Sequence, residues 1–180
     1  MRVAVVSDTH GNNTNLSRVM NIEGDIDLLI HLGDVEASLQ EIEEIAKCPV
    51  QIVAGNTDFF SCFDREKEID ILGKNILITH GHRYGVTKDT SLLKQEAIFR
   101  GADIVMYGHT HRPKFTFDDH LIVINPGSLT RPRQDGGLPS YIMLEMNKTN
   151  ELSASIRYLD GANLYPEHFY GQEIQLPLTF

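Results

Sequence analysis

The first ten residues form an apolar, β-branched run that ends abruptly in polar residues, Asp8 and His10. A short run with so little polar interruption is typical of a strand buried on both faces in a parallel or mixed sheet. Its polar residues then lie at its carboxyl end, the edge where open α/β sheets bind ligands. Residues two apart in extended chain point to the same side, so Asp8 and His10 can converge on one point.

The same pattern, an apolar run that ends in polar residues, recurs along the chain. Its recurrence favours a ligand-binding site over the simpler interpretation of a single strand that runs into a polar loop. Four later apolar runs, 28–34, 50–56, 76–80 and 104–111, also end in Asp, Asn or His. The sequence therefore predicts a metal site built from five strand ends, with the candidate ligands Asp8, His10, Asp34, Asn56, His80, His109 and His111.

These seven residues supply imidazole nitrogens and carboxylate or amide oxygens, but no thiolate. That mixture suits Mn²⁺, Fe²⁺, Zn²⁺ or Ni²⁺ better than Ca²⁺ or a structural zinc site. Seven ligands are too many for one tetrahedral ion, and they suit two ions. Two ions need a negative group between them, and Asp34 and a hydroxide from water can both bridge.

Composition limits the functions that remain open. The chain has 180 residues and a net charge of −9, so electrostatic attraction to nucleic acid or to an anionic membrane is not expected. No apolar run approaches the roughly 20 residues that span a bilayer, and the N-terminus lacks the layout of a signal peptide. With only Cys48 and Cys62, in no metal or disulfide pattern, we expect reduced thiols and a cytoplasmic protein.

The order of predicted elements indicates the fold class. A β-α-β-α-β pattern, with helices near 15–20 and 38–47, gives way to strands joined by tight turns and a third helix near 90–100. This α/β (α+β) pattern predicts two β-sheets packed face to face, with helices covering the outsides. We expect a single domain over 1–160 and a tail, 161–180, that packs on the surface or on another subunit, so a homo-oligomer stays open.

Five short blocks in this order resemble the signature of the calcineurin-like metallophosphoesterase superfamily, and their spacing covers residues 1–128. The turn 125–128, the short length and the hairpin-rich second half resemble its small, single-domain YfcE-like phosphodiesterase branch, which includes the retromer subunit Vps29. The blocks are Asp8-x-His10, Gly33-Asp34, Gly55-Asn56-x-Asp58, His80-Gly81-His82 and Gly108-His109-x-His111.

The resemblance implies a four-layer α/β/β/α fold and a phosphoesterase, most of all a phosphodiesterase, that cleaves small phosphate esters with a hydroxide bridging two divalent transition-metal ions. Mn²⁺ is the first expectation, with Ni²⁺, Fe²⁺ or Zn²⁺ as alternatives. Asp34, Asn56 and His109 are then the expected catalytic residues. The implied ligands are Asp8, His10, Asp34 and His111 for the first ion, and Asp34, Asn56, His80 and His109 for the second, with Asp34 bridging.

Other residues near the motifs receive weaker interpretations. Asp58 is expected either to orient a ligand such as His10 or to bond its own turn. One or two of Arg83, Arg112, Arg131 and Arg133 could contact phosphate. Ser128 belongs to a rigid supporting turn. Among the other histidines we expect His31 in the core or behind the ligands, His82 behind the ligands, His120 in solvent and His168 in the tail.

One position departs from the family pattern. Many metallophosphoesterases have a His after the Asn of the third block, where it is thought to donate a proton to the leaving oxygen, and this chain has Thr57. A Thr hydroxyl is too weak an acid for that step at neutral pH.

A second function stays open beside hydrolysis. The fold could serve as a Vps29-like scaffold that recruits partners, through the aromatic segment 59–63 and the tail. A pure scaffold needs no complete set of metal ligands, and the set is complete here, so we favour the enzyme.

Overall fold

The computed structural model describes residues 1–118, 120–146, 152–159 and 173–175. Within these ranges the chain forms three α-helices, α1 Thr14–Glu23, α2 Leu39–Ala46 and α3 Ser91–Phe99, and a 3-10 helix His82–Tyr84. The strands are β1 Arg2–Val6, β2 Leu28–His31, β3 Val50–Ile52, β4 Glu66–Ile71, β5 Lys74–Thr79, β6 Ile104–Met106, β7 Pro113–Asp118, β8 Leu121–Pro126, β9 Ser140–Met146, β10 Leu152–Tyr158 and β11 Glu173–Gln175.

The strands form two mixed sheets. The first has the order β11-β10-β9-β1-β2-β3, and the second has the order β4-β5-β6-β8-β7. In the first sheet β1, β2 and β3 run parallel, and in the second β5, β6 and β8 run parallel. The remaining pairs are antiparallel, with β4 and β7 at the edges of the second sheet.

The core consists of three clusters of buried apolar side chains, because successive side chains along each strand point to opposite faces of the sheet. Val3 and Val5 of β1 pack between the two sheets, while Ala4 and Val6 pack under α1 and α2. A third cluster lies between α3 and the second sheet. The predicted sandwich with helices on both outer faces is therefore confirmed, and β1 is buried on both faces as expected.

Helix α2 begins as predicted, because Ser38 accepts a hydrogen bond from the Glu41 amide and caps its first turn. Helix α1 is longer than predicted and continues to Glu23. Its last turn is held by burial of the Glu23 side chain, whose carboxylate pairs with Arg2 and Arg157. No local pattern in the sequence signals that long-range pairing.

The predicted tail is only partly described. Its residues Glu173–Gln175 pair antiparallel with β10 and extend the edge of the first sheet. Residues 161–172 and 176–180 of this tail lie outside the described residues, so the division at residue 160 stays a prediction. Among the helices that the structure describes, none has the length and apolar character needed to cross a bilayer.

Candidate metal centre

The seven candidate ligands lie where the parallel strands of both sheets end. Backbone hydrogen bonds hold the loops that follow these strands in register within each sheet. The Asp8 amide donates to the Gly33 carbonyl, and the Gly108 amide donates to the His80 carbonyl. Two further bonds join the sheets: His80 Nδ1 lies 2.7 Å from the Leu32 carbonyl oxygen, and the His109 amide donates to the Asp8 carboxylate. One edge of the sandwich therefore gathers polar side chains from five strand ends.

A first group of four side chains is tightly clustered. Asp8, His10, Asp34 and His111 offer ligand atoms that all lie within 4.8 Å of one another. None of these side chains is more than 4% exposed. Two carboxylates and two imidazoles at this separation form a compact N/O donor set of the kind that holds a transition-metal ion.

Both histidines of this group are oriented through their other ring nitrogen. His10 Nδ1 lies 2.7 Å from Glu36 Oε1, and His111 Nδ1 lies 2.6 Å from the Arg131 carbonyl oxygen. A carboxylate or carbonyl oxygen only accepts hydrogen bonds, so each Nδ1 carries the hydrogen. In the neutral imidazoles, Nε2 then directs a lone pair into the group.

The inward-facing atoms lack partners within the protein. His10 Nε2 and Asp8 Oδ1 are buried and make no hydrogen bond to the described residues. Nevertheless, His111 Nε2 lies 3.0 Å from Asp8 Oδ1, and His10 Nε2 lies 3.8 Å from Asp34 Oδ2. Lone pairs and carboxylate oxygens repel at such distances unless a proton or cation lies between them. These donors therefore fit a bound metal ion.

A second group adjoins the first through Asp34. His80 Nε2 lies 3.5 Å from Asp34 Oδ2 and 3.2 Å from Asn56 Oδ1, and the rings of His80 and His109 are 5.2 Å apart. Asp34 Oδ1 is occupied by the Thr57 amide at 2.9 Å. The other oxygen, Oδ2, therefore faces a histidine of each group, which is the position required of a bridging ligand.

Protonation in this edge is governed by burial and by close pairs. Burial alone would raise the pKa of Asp34, but His80 and the Thr57 amide outweigh it and hold that pKa well below its usual value. Burial would lower the pKa of His80, but Asp34 and Asp8 raise it. Burial and the charge of His80 lower the pKa of His109 and bring that of His82 to about 4. His80 could bind a metal ion only in its neutral form, because the ion needs the lone pair of Nε2.

The backbone of the ligand loops is unusual. Left-handed conformations are rare for residues other than glycine and cluster at functional sites. Five of the seven candidates adopt one, namely Asp8 (φ 57°), His10 (47°), Asp34 (52°), His109 (65°) and His111 (57°).

Two glycines permit the close approach of these loops. A Cβ on Gly55 would overlap the Asp34 carboxylate, and one on Gly108 would overlap the Ser7 hydroxyl and approach Asp8. The glycines that precede Asn56 and His109 in the motifs are therefore steric requirements of the site.

Of the two expectations for Asp58, the described residues support the bond to its own turn, through the Gly55 amide, and give no hydrogen bond to His10. The Asp58 carboxylate accepts hydrogen bonds from the backbone amides of Val35, Glu36 and Gly55. It therefore ties the loop after Asp34 to the loop before Asn56. The partner of His10 is Glu36 instead, a residue without any sequence signal, since its approach depends on its own left-handed backbone (φ 52°).

The turn 125–128 supports the site, as expected. The Asn125 amide group donates to the Gly108 carbonyl and to Thr110 Oγ1, and the Ser128 hydroxyl donates to the Asp8 carbonyl. Ser128 Oγ also accepts from the amide of Arg131, whose carbonyl orients His111. This one turn therefore holds both the loop that carries His109 and His111 and the loop that carries Asp8.

The remaining histidines lie outside the two groups. His31 is fully buried; its Nδ1 accepts from the Gly33 amide, so its Nε2 donates to Thr9 Oγ1, and burial lowers its pKa to about 4. The His82 ring lies 5.4 Å from that of His80 and 6.1 Å from that of His109, so it adjoins two candidate ligands, and its role behind them stays a prediction. His120 is exposed, and His168 lies outside the described residues.

The four arginines near the motifs divide into two sets. Arg83 and Arg131 are exposed, and Arg131 serves the site through its carbonyl oxygen. Arg112 and Arg133 line a cavity beside the loop that carries His109 and His111. Contact between any of these arginines and a substrate phosphate at the metal centre therefore stays a prediction.

The chain is similar to known proteins over most of its length. Residues 1–149 match the model of the calcineurin-like phosphoesterase superfamily domain. The chain is 32% identical over 163 residues to the probable metallophosphoesterase YsnB of Bacillus subtilis, covering 90% of this chain and 92% of that protein. It is 34% identical over 146 residues to a phosphodiesterase of Methanocaldococcus jannaschii, covering 71% of this chain and 83% of that protein.

A solved structure shows the same fold at lower identity. Wild-type Vps29 of Entamoeba histolytica, complexed with zinc, matches with a TM-score of 0.79 and 23% identity. The match covers 97% of this chain and 99% of that chain.

Proposed function

Because the chain belongs to the calcineurin-like phosphoesterase superfamily, we propose that it is a metal-dependent phosphoesterase that hydrolyses small phosphodiesters with two divalent transition-metal ions. Asp8, His10, Asp34 and His111 would hold the first ion. Asp34, Asn56, His80 and His109 would hold the second, and Asp34, Asn56 and His109 are the residues we assign to catalysis. Manganese is the first metal to test, with nickel, iron and zinc as alternatives, and the cytoplasm stays the predicted location.

One observation carries this proposal. Asp34 Oδ2 faces His10 at 3.8 Å and His80 at 3.5 Å, while its other oxygen is held by the Thr57 amide. A carboxylate fixed in this way can serve two cations at once and cannot rotate away from either. When bound, the two ions would lower the pKa of water and neutralise the phosphate oxygens.

The protein contributes orientation and a fixed electrostatic environment. Glu36, the Arg131 carbonyl and the Leu32 carbonyl hold the imidazoles of His10, His111 and His80 with Nε2 inward. Burial keeps His109 neutral and therefore able to act as a ligand. The substrate phosphorus then meets a preorganised edge rather than mobile side chains.

The primary test is hydrolysis of bis-p-nitrophenyl phosphate by protein supplied with Mn²⁺, together with metal analysis after desalting. We expect two ions per chain. His109→Ala and Asn56→Ala should lower the rate by at least about 100-fold, because even the partners of metal ligands are commonly worth about 10–100-fold. The matched control is His120→Ala, an exposed histidine of the β7–β8 turn, which should keep the rate.

A second candidate function, partner recruitment, is favoured by one observation. Phe59 and Phe60, which follow the Asn56 loop, are 78% and 101% exposed. Phe63, by contrast, packs against the apolar core that lies under α1 and α2. Protein that binds metal but stays inert with Mn²⁺, Ni²⁺, Zn²⁺ and Fe²⁺ would move this candidate ahead of hydrolysis. A stoichiometry that stays at one ion or below would contradict the dinuclear assignment.

Thr57 sets an expected limit on substrate choice. Its hydroxyl is buried without a hydrogen-bond partner among the described residues, and it is too weak an acid to protonate a leaving oxygen. Aryl esters should therefore be cleaved much faster than alkyl esters. Because general acid catalysis is commonly worth about 10²–10⁴-fold, Thr57→His should narrow that gap for alkyl leaving groups. A wild-type rate that hardly varies along a graded series would show that another residue donates the proton.

A further inference from the structure

A cavity of about 570 Å³ lies beside the metal-ligand loop and is not part of either ligand group. Its walls come from the segment 86–90 after the 3-10 helix, from residues 107–114 around β6 and β7, and from Arg133. Cavities of about 300–1,000 Å³ are the usual size of small-molecule sites. The space is therefore sufficient for a sugar or nucleoside phosphate.

The charge of this cavity is opposite to that of the protein. Among the described residues, Lys88, Arg112, Lys114 and Arg133 line it, against one acidic residue, Asp89. The whole chain has 16 basic and 25 acidic residues, so a quarter of all its cations surround this one space. Across the described part of the chain, none of these four side chains forms an ion pair with a carboxylate. Four positive charges around one space repel each other, Asp89 offsets only part of that repulsion through its interaction with Lys88, and a bound anion would relieve the rest.

The other walls fit the rest of an organic ligand. Val86 and Tyr107 are 5% and 2% exposed and form an apolar floor, and Thr87, Thr90 and Thr110 add hydroxyl groups. A basic rim, an apolar floor and a few hydroxyls suit a phosphate group attached to a small polar body better than a bare inorganic ion.

We propose that this cavity binds a small organic phosphate at a site separate from the metal centre. Arg112 and Arg133 would bind the phosphate, and Thr110 and the apolar floor would contact the body of the ligand.

The separation follows from alternation along one loop. His109 and His111 join the two ligand groups, whereas Tyr107, Thr110 and Arg112 line the cavity. The same loop is anchored by the Asn125 amide group, which donates both to the Gly108 carbonyl and to Thr110 Oγ1. A ligand in the cavity thus contacts the loop between the two histidines rather than the histidines themselves.

Isothermal titration calorimetry with AMP at about 0.15 M ionic strength tests the proposal. Phosphate binding at the metal centre is removed in two independent ways, by EDTA treatment of the wild-type chain and by Asp34→Asn. Under both conditions we expect AMP to bind once per chain. The double variant Arg112→Gln/Arg133→Gln should weaken binding at least tenfold, whereas Lys47→Gln, which changes an exposed cation at the end of α2 outside the cavity, should change it less than twofold.

Three outcomes would overturn the proposal. AMP binding that disappears with EDTA and with Asp34→Asn would place it at the metal centre. No binding at millimolar AMP would leave the cavity without this ligand class. Inorganic phosphate that binds as tightly as AMP would reduce the site to a simple anion site. None of these outcomes changes the expected hydrolysis of bis-p-nitrophenyl phosphate, so the two proposals fail separately.

Discussion

Two buried carboxylates of this protein, Glu23 and Asp34, have opposite surroundings. The Glu23 side chain is 2% exposed and receives Arg2 at 2.8 Å, Arg157 at 2.5 Å and the Tyr141 hydroxyl at 2.7 Å. The Asp34 side chain is 3% exposed, and within the described part of the chain no arginine or lysine pairs with it. Its neighbours are histidines and backbone amides.

The difference separates a structural cluster from a ligand site. A buried carboxylate is costly unless a cation and hydrogen bonds compensate it, and Glu23 finds both within the chain. Asp34 and Asp8 find only imidazoles, whose protons can leave, and backbone donors. A buried carboxylate that the protein leaves without a permanent cation indicates a cation from outside.

The largest expected effect is on activity and distinguishes the two carboxylates directly. Asp34→Asn should lower hydrolysis of bis-p-nitrophenyl phosphate by at least about 100-fold, because the bridging charge between two cations is lost. Glu23→Gln should keep the rate within about twofold at a temperature where it is folded. Initial rates at saturating Mn²⁺ measure both, and equal losses in the two variants would erase the proposed distinction.

Stability should show the reverse order. In EDTA, Glu23→Gln should lower the free energy of unfolding by about 2–3 kcal/mol, because two guanidinium groups stay charged beside a neutral amide. The loss is smaller than for a fully buried ion pair, because water reaches the partly exposed Arg2 and Arg157. Asp34→Asn should lower it by less than Glu23→Gln does, because His80 can lose its proton and leave no unpaired charge, whereas Arg2 and Arg157 stay charged. Urea denaturation at pH 7 supplies the comparison, and a larger loss in Asp34→Asn would contradict it.

The smallest expected effect concerns pH and the Tyr141 hydroxyl. Burial, and then the Glu23 hydrogen bond and charge, raise the pKa of Tyr141 above 10. The folded chain therefore retains this proton when the unfolded chain loses it, so the stabilisation is complete below pH 10 and declines above it. Tyr141→Phe should cost about 1 kcal/mol at pH 7. That difference should shrink between pH 9 and pH 11 in chemical denaturation, and a difference that grows would show that the ionised phenol is the form the fold prefers.

The sequence predicted which side chains gather at this edge, because each candidate ligand follows an apolar strand. Strand alternation also indicated the sandwich, and Ser38 marked the start of α2, since caps and periodicity are local. The Glu23 cluster could not be found in this way, because Arg2, Tyr141 and Arg157 meet it only through sheet pairing.

Asp58 and Glu36 show the limit most clearly. Both lie near the motifs, yet their roles depend on where backbone amides point after the loops turn. Spacing identifies which residues reach an edge, but the direction of each amide follows from φ and ψ values that a motif does not encode.

The left-handed backbone of Asp8, Asp34 and His109 has a consequence for the history of such a chain. Glycine at each of these positions would relieve backbone strain on the order of 1 kcal/mol, because it adopts the left-handed conformation without a steric cost. Selection for the ligand chemistry must therefore act continuously against a gain in stability. A descendant released from that selection would drift towards glycine or asparagine at these loops while keeping its strands and its core. The fold can thus persist after the proposed activity is lost. Such a loss would be recognised by glycine at these three positions in a sequence that keeps the apolar core pattern.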